Sequence, residues 1–169
     1  MAARNANSPA AAQNDTKVER TSDREVVVTR TFNGPARIVF EAWTQPELFK
    51  RWWAPKSLNM PILSVEQDVR VGGSYKLVFG HDASQSMAFH GRYLEVKPPS
   101  RLVWTNEESG DQGSVTTVTF EEKGGKTLLT LHELYPSKEA LDVSGGAADA
   151  LPEQFAQLDA LLASMGARV

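Results

Sequence analysis

Between residues 59 and 134 six stretches follow one another: "NMPILSVEQDVR", "GGSYKLVFG", "SMAFHGRYLEV", "RLVWTNEE", "SVTTVTFEE" and "KTLLTLHEL". Each alternates large apolar side chains with polar or smaller ones, a period of two that puts one set on each face of a strand. The gaps, mostly Gly, Pro, Ser, Asp or Asn, are shorter than the crossover of roughly a dozen residues that parallel neighbours require. The strands must therefore pair antiparallel with their neighbours in sequence, as a meander. Upstream, "REVVVTRTF" from Arg24 reads as a first strand by its β-branched content.

Helical spacing appears in three places. In "NGPARIVFEAWT" a proline suited to a first turn precedes Ile38, Val39, Ala42 and Trp43. Next, Thr44 and Glu47 stand as a capping box requires, with Pro46 in the first turn and an apolar stripe of Leu48, Phe49, Trp52 and Trp53 ending before Pro55. Beyond "YPSKEALDVSGG" the chain returns to helix, with Leu151, Phe155, Leu158, Leu161 and Leu162 on one stripe. The expectation is an α+β fold: an antiparallel sheet of about six to seven strands, two short helices after strand one, and a long C-terminal helix covering one sheet face. Gly72-Gly73 permits the sheet to bend, so that Tyr75, Leu77 and Phe79 line its concave side. Periodicity leaves open whether the helix fills that concavity or a cavity remains.

The 169 residues fit one domain. Val18 is the one aliphatic side chain larger than Ala between residues 2 and 23, so residues 1–23 are expected to be a disordered tail before a single domain over 24–169. No apolar run approaches the ~18 residues of a membrane span, and the start lacks the apolar core of a secretory signal, which points to a cytoplasmic chain. A net charge of -3 without a basic cluster argues against nucleic acid as a partner. The absence of cysteine excludes disulfides, a thiolate nucleophile and Cys-ligated metal.

Taken together, "VVVTRTFNGPARIVFEAWTQPELFKRWWAP", "DVRVGGSYKLVF", "FHGRYLEVKPPSRLVWT", "VTFEEKGGKTLLTL" and "LYPSKEALD" resemble the bacterial homologues of the C-terminal domain of the activator of Hsp90 ATPase, over about residues 24–165. That family, homologue 1-like, lies within the START-like, helix-grip superfamily that includes Bet v 1 and polyketide cyclases. The resemblance implies a curved antiparallel sheet gripping the C-terminal helix, with an often apolar cavity between them. Many relatives carry a Gly-Trp pair at the start of the last helix, whereas this chain has Gly145-Gly146 and no tryptophan there.

A ligand held between sheet and helix would meet Trp52 or Trp53 at the rim, Tyr75, Leu77 and Phe79 on one strand, and Phe89 and Tyr93 on the next. Trp104, Leu129 and Leu131 would face it from later strands, and Phe155 and Leu158 from the last helix. Adjacent Trp52 and Trp53 point about 100° apart on a helix, so they cannot both face inward equally. Large indoles serve equally as core or as a stacking surface, and core is the better reading for Trp43 and Trp104. For acid-base chemistry the candidates are Glu133, His132, His90 and Arg92. Alternation puts Leu129, Leu131 and Glu133 on one face of the strand and His132 on the other, so one polar residue enters the inner face. The plainer reading, a strand-end residue reaching solvent, ranks ahead. Asp68 and Arg70 alternate onto one strand face, in reach of a neighbouring strand, with a surface ion pair as their expected role. His81, His90 and His132 lack metal-ligand spacing, and no nucleophile, P-loop or dinucleotide motif is present, so no metal or cofactor is expected.

Three roles remain open on this fold. The first is binding of a small apolar or amphipathic ligand; the second is a cyclase- or hydrolase-type enzyme using the same cavity. The third, regulation of an Hsp90-type chaperone, rests on the family's name and ranks last. A homodimer through an edge strand is compatible with the sequence but not required by it.

Overall fold

Val26, Val28 and Phe32 fall on one face of an eight-residue segment and are all buried, as a strand with one covered face demands. In the computed structural model, which describes residues 16–58, 61–82, 84–107, 113–144 and 150–165, this segment is the second of eight strands. They are β1 (Lys17–Ser22), β2 (Glu25–Phe32), β3 (Ile62–Gln67), β4 (Ser74–Asp82), β5 (Gln85–Lys97), β6 (Arg101–Thr105), β7 (Val115–Lys123) and β8 (Lys126–Leu134). The helices are α1 (Ala36–Thr44), α2 (Pro46–Phe49), α3 (Lys138–Ser144) and α4 (Leu151–Ser164), with a 3-10 turn at Lys56–Leu58. The strands form one antiparallel sheet in the order β1-β2-β8-β7-β6-β5-β4-β3. The expected meander runs from β3 to β8. The chain's first strands then close on its last, with β2 pairing β8 from Glu25 opposite Leu134 to Phe32 opposite Thr127.

Four expectations need correction. Residues 1–15 lie outside the described residues, but the tail does not extend to residue 23, because Lys17–Ser22 pairs with β2 through Val18 opposite Val28. All six β1 residues are exposed, so neither face carries a pattern. Backbone pairing and an Arg20–Asp142 ion pair of 2.9 Å to α3 hold the strand instead. The second correction is α3 itself, in a stretch expected to be a connection: Ser137 Oγ accepts from the Ala140 N–H at 3.0 Å as an N-cap does, and Leu141 is buried. Third, the capping box does not form, because Thr44 Oγ1 donates back to Phe40 O at 3.0 Å and Gln45 occupies the cap position without a side-chain bond.

The fourth concerns Gly72-Gly73. β3 ends at Gln67, and Asp68 to Gly73 make a turn in which Gly72 has φ +85° and a Cβ on Gly73 would collide with the Asp68 backbone. Asp68 and Arg70 make the expected surface ion pair there, with each other at 2.9 Å. The sheet turns its direction in β5, whose residues 85–92 pair with β4 and whose residues 93–97 pair with β6. At that changeover a Cβ on Gly91 would run into the Thr105 backbone and the Tyr75 ring, so only glycine lets β6 approach.

The helices lie on the face defined by Val28, Leu129 and Leu131. From α4, Phe155, Leu158 and Leu162 are fully buried, and the Phe155 ring meets Phe32 at 5.5 Å, Trp43 at 6.2 Å and Trp52 at 6.3 Å. Arg30, inward on β2, reaches Asp159 of α4 at 3.3 Å, adding an ion pair between sheet and helix. No helix among the described residues is long and apolar enough to cross a membrane.

Removing the Phe155 ring would leave a void that rigid aromatic neighbours cannot collapse into. Phe155→Ala is expected to cost about 3–5 kcal/mol in urea unfolding, and a loss below about 1 kcal/mol would show that α4 is not locked to the sheet through this ring.

Candidate functional site

On β4 the inward residues are Tyr75, Leu77 and Phe79, as alternation requires. In register, Leu77 sits opposite Phe89 and Tyr75 opposite Gly91 of β5. Because Gly91 offers no side chain, Tyr75 lies over it and reaches β6, where its hydroxyl donates to Thr105 O at 2.7 Å. Ala150, Leu151 and Gln154 approach from the start of α4. These elements do not close on one another: they enclose a cavity of about 370 Å3, within the size range of small-molecule sites. The concave face therefore leads to a cavity at this end of the sheet and to packed core under α4.

One wall is aromatic. Trp43, Phe49, Trp53 and Trp104 line it, with Phe49 and Trp53 stacked at 4.9 Å and 25° between planes. Such flat faces are suited to an apolar ring system.

A polar row crosses the strands next to Trp104, which lies directly across from Thr116. Glu133 of β8 is directly across from Thr116 of β7, whose Oγ1 accepts from Asn106 Nδ2 at 2.9 Å. Asn106 also donates to Ser114 Oγ at 3.0 Å, and its Oδ1 lies 3.1 Å from the Tyr75 hydroxyl. Glu133 Oε1 accepts from the Tyr135 hydroxyl at 2.9 Å. Burial holds the Glu133 carboxyl above its ordinary range, and the Tyr135 bond and the His132 charge only partly oppose that.

A second polar group flanks the aromatic wall. Gln67 Nε2 donates to Trp43 O at 2.9 Å and to the Tyr93 hydroxyl at 3.2 Å. Burial pushes the Tyr93 hydroxyl up to about 12, so it remains protonated at neutral pH. Gln67 Oε1 and the Trp43 indole N–H are buried without a partner among the described residues.

Of the residues singled out in the sequence, Trp53, Tyr75, Leu77, Phe79, Phe89 and Tyr93 line the cavity, together with Trp104 and Leu131. Trp52, Leu129, Phe155 and Leu158 do not. They are fully buried: Trp52 turns into the core, where its N–H donates to Ala42 O at 2.9 Å, and the other three lie where α4 sits directly on the sheet. Among the acid-base candidates only Glu133 lines the cavity. His132 is on the other sheet face against Glu25 at 2.8 Å, Arg92 pairs there with Glu107 at 2.9 Å, and His90 is exposed on that same outer face of β5. Sequence reasoning missed Gln67, Asn106, Thr116, Tyr135 and Gln154. Thr116 was within reach, since it shares its strand face with Val118 and Phe120; Gln154 falls on the buried stripe of α4 beside Phe155.

A family model described as Activator of Hsp90 ATPase homolog 1-like protein matches residues 33–163. Among solved structures, the chain is similar to a Rhodobacter sphaeroides protein at 21% identity, covering 89% of this chain and 99% of that one with a TM-score of 0.80. It is also similar to a Mycobacterium smegmatis protein at 24% identity (89% and 99% covered, TM-score 0.77). A third is the AHSA1-like protein from Aeromonas hydrophila at 21% identity (79% and 92% covered, TM-score 0.64). At these identities the likeness concerns the fold. No curated protein matches the chain. Gly145-Gly146 lies outside the described residues.

Glu133 gives the site a signature in stability. In the unfolded chain the carboxyl ionises at its ordinary value, whereas in the fold ionisation is delayed to higher pH. The native state holds the proton through that interval, so stability falls as pH rises through it. Glu133→Gln removes this titration. Its melting temperature relative to the unsubstituted protein is expected to rise as pH increases above the ordinary carboxylate range, about pH 4; a difference that stays constant with pH would show Glu133 to be solvated.

Proposed function

The chain belongs to the Activator of Hsp90 ATPase homolog 1-like family, and from that premise and its cavity we propose that it is a small-molecule-binding protein, holding an apolar or amphipathic ligand between the sheet and α4. The observation that carries this reading is the cavity of about 370 Å3, in which an aromatic wall is bordered by a short polar row. Affinity would come from apolar surface removed from water, at about 25 cal/mol per Å2 before ordering costs. Orientation would come from the polar groups. The enzymatic alternative keeps one supporting observation, the carboxyl of Glu133 inside the cavity, raised towards the range useful to a general acid. Chemistry there would have to run on Glu133 and the tyrosine hydroxyls.

Native mass spectrometry of the purified protein, followed by solvent extraction, tests the reading: a noncovalent adduct released by solvent is expected. Leu77→Trp should abolish the adduct by placing an indole in the cavity, at a stability change within about 1 kcal/mol. In a filled core the same substitution would overpack and cost about 1–3 kcal/mol. An apo mass together with that cost would overturn the proposal.

A further inference from the structure

The cavity is one-sided in charge. None of the described residues that line it is Lys, Arg or His, and its one carboxyl is Glu133. The segments outside the described residues that adjoin lining positions, 108–112 beside Asn106 and Ser114 and 145–149 beside Ala150, contain no Lys, Arg or His either. Arg92 beside Glu107, and Lys97 and Arg101 beside Glu95, lie on the other sheet face, and the inward Arg30 is paired with Asp159 under α4, outside the cavity lining. An anionic ligand would therefore lose its hydration inside the cavity and gain no countercharge.

The hydrogen-bonding groups of the polar row point the same way. Asn106 gives its amide protons to Ser114 and Thr116, Tyr75 gives its hydroxyl proton to Thr105 O, and Tyr135 gives its own to Glu133 Oε1. These particular donors are taken up by protein acceptors. Glu133 Oε2 has no hydrogen bond among the described residues and is left to meet a ligand, as an acceptor once the carboxyl is ionised.

Resting on the ligand-binding reading above, we propose that the cavity selects by charge: it takes a ring-bearing apolar ligand that presents an amine or hydroxyl donor to Glu133, and it rejects carboxylates of the same size. The aromatic wall of Phe49, Trp53 and Trp104 receives the rings, and Glu133, fixed by Tyr135, receives the donor. Glu133 is then the residue that determines specificity, and an ammonium ligand supplies the countercharge that the apolar surroundings deny it.

The probes that test this are 2-naphthylmethylamine, 2-naphthalenemethanol and 2-naphthoate, matched in ring and size and differing in charge, titrated by calorimetry at neutral pH. The amine and the alcohol are expected to bind at least about tenfold more tightly than the carboxylate. In Glu133→Gln, isosteric and checked for folding by circular dichroism, the preference for amine over alcohol is expected to shrink by about tenfold or more. The ranking in the unsubstituted protein decides the matter even if that variant does not fold. Carboxylate binding as tight as the alcohol would overturn charge selection while leaving the ligand-binding reading intact. Binding of none of the three, the neutral alcohol included, would overturn both. An unaltered preference in a folded Glu133→Gln would remove Glu133 as its determinant.

Discussion

Trp43 is the residue on which the rest of the arrangement depends. It sits near the end of α1, and its ring is within 6.4 Å of six others: Phe49, Trp52 and Trp53 around α2, Trp104 and Phe120 on the sheet, and Phe155 on α4. A helix of nine residues and another of four are too short to be stable alone, so their positions are set by packing. One indole, 2% exposed, fixes the two short helices, the sheet and the last helix relative to each other. Its backbone carbonyl holds Gln67, and through Gln67 the Tyr93 hydroxyl, so the same residue also sets the polar side of the cavity.

The cavity follows from how that bracing is distributed. Edge-to-face contacts such as Trp43 on Trp52 at 4.8 Å let rings support one another from the side, leaving some faces uncovered. α4 begins at Leu151, and across the cavity from Glu133, Thr116 and Tyr75 it contributes only its first turn, Leu151 and Gln154, beside the rings. In the packed half, Phe155, Leu158 and Leu162 fill every gap with aliphatic and aromatic volume. A boundary between the two halves runs along β8 itself: Leu129 belongs to the core, Leu131 touches both, and Glu133 belongs to the cavity.

Much of this could be read from the residues, and the failures share a physical cause. The six-strand meander, α1 and α4 came from periodicity, which reports a boundary between buried and exposed faces. β1 has no such boundary, all its residues being exposed, and α3 has a single buried anchor in Leu141. The site divided in the same way. Alternation chose the face, and Tyr75, Leu77, Phe79, Phe89, Tyr93 and Leu131 on it line the cavity, but a face does not say which of its residues lie under a helix. That is why Leu129, Phe155 and Leu158, read as ligand-facing, are core. Asn106 and Gln67 stand at strand ends, where the pattern stops and hydrogen bonding to neighbouring strands takes over.

β1 also changes what the folded molecule shows to its neighbours. Without it, the sheet would end at β2, whose run of three valines presents an open row of amide and carbonyl groups well suited to recruiting another chain. β1 occupies that row with Lys17, Glu19 and Arg20, all exposed, and Arg20 is anchored to Asp142. A strand that adds nothing to the hydrophobic core thus acts as a hem: it replaces an adhesive border with a hydrated, mixed-charge one, making colloidal behaviour rather than folding energy the property that its polar sequence serves.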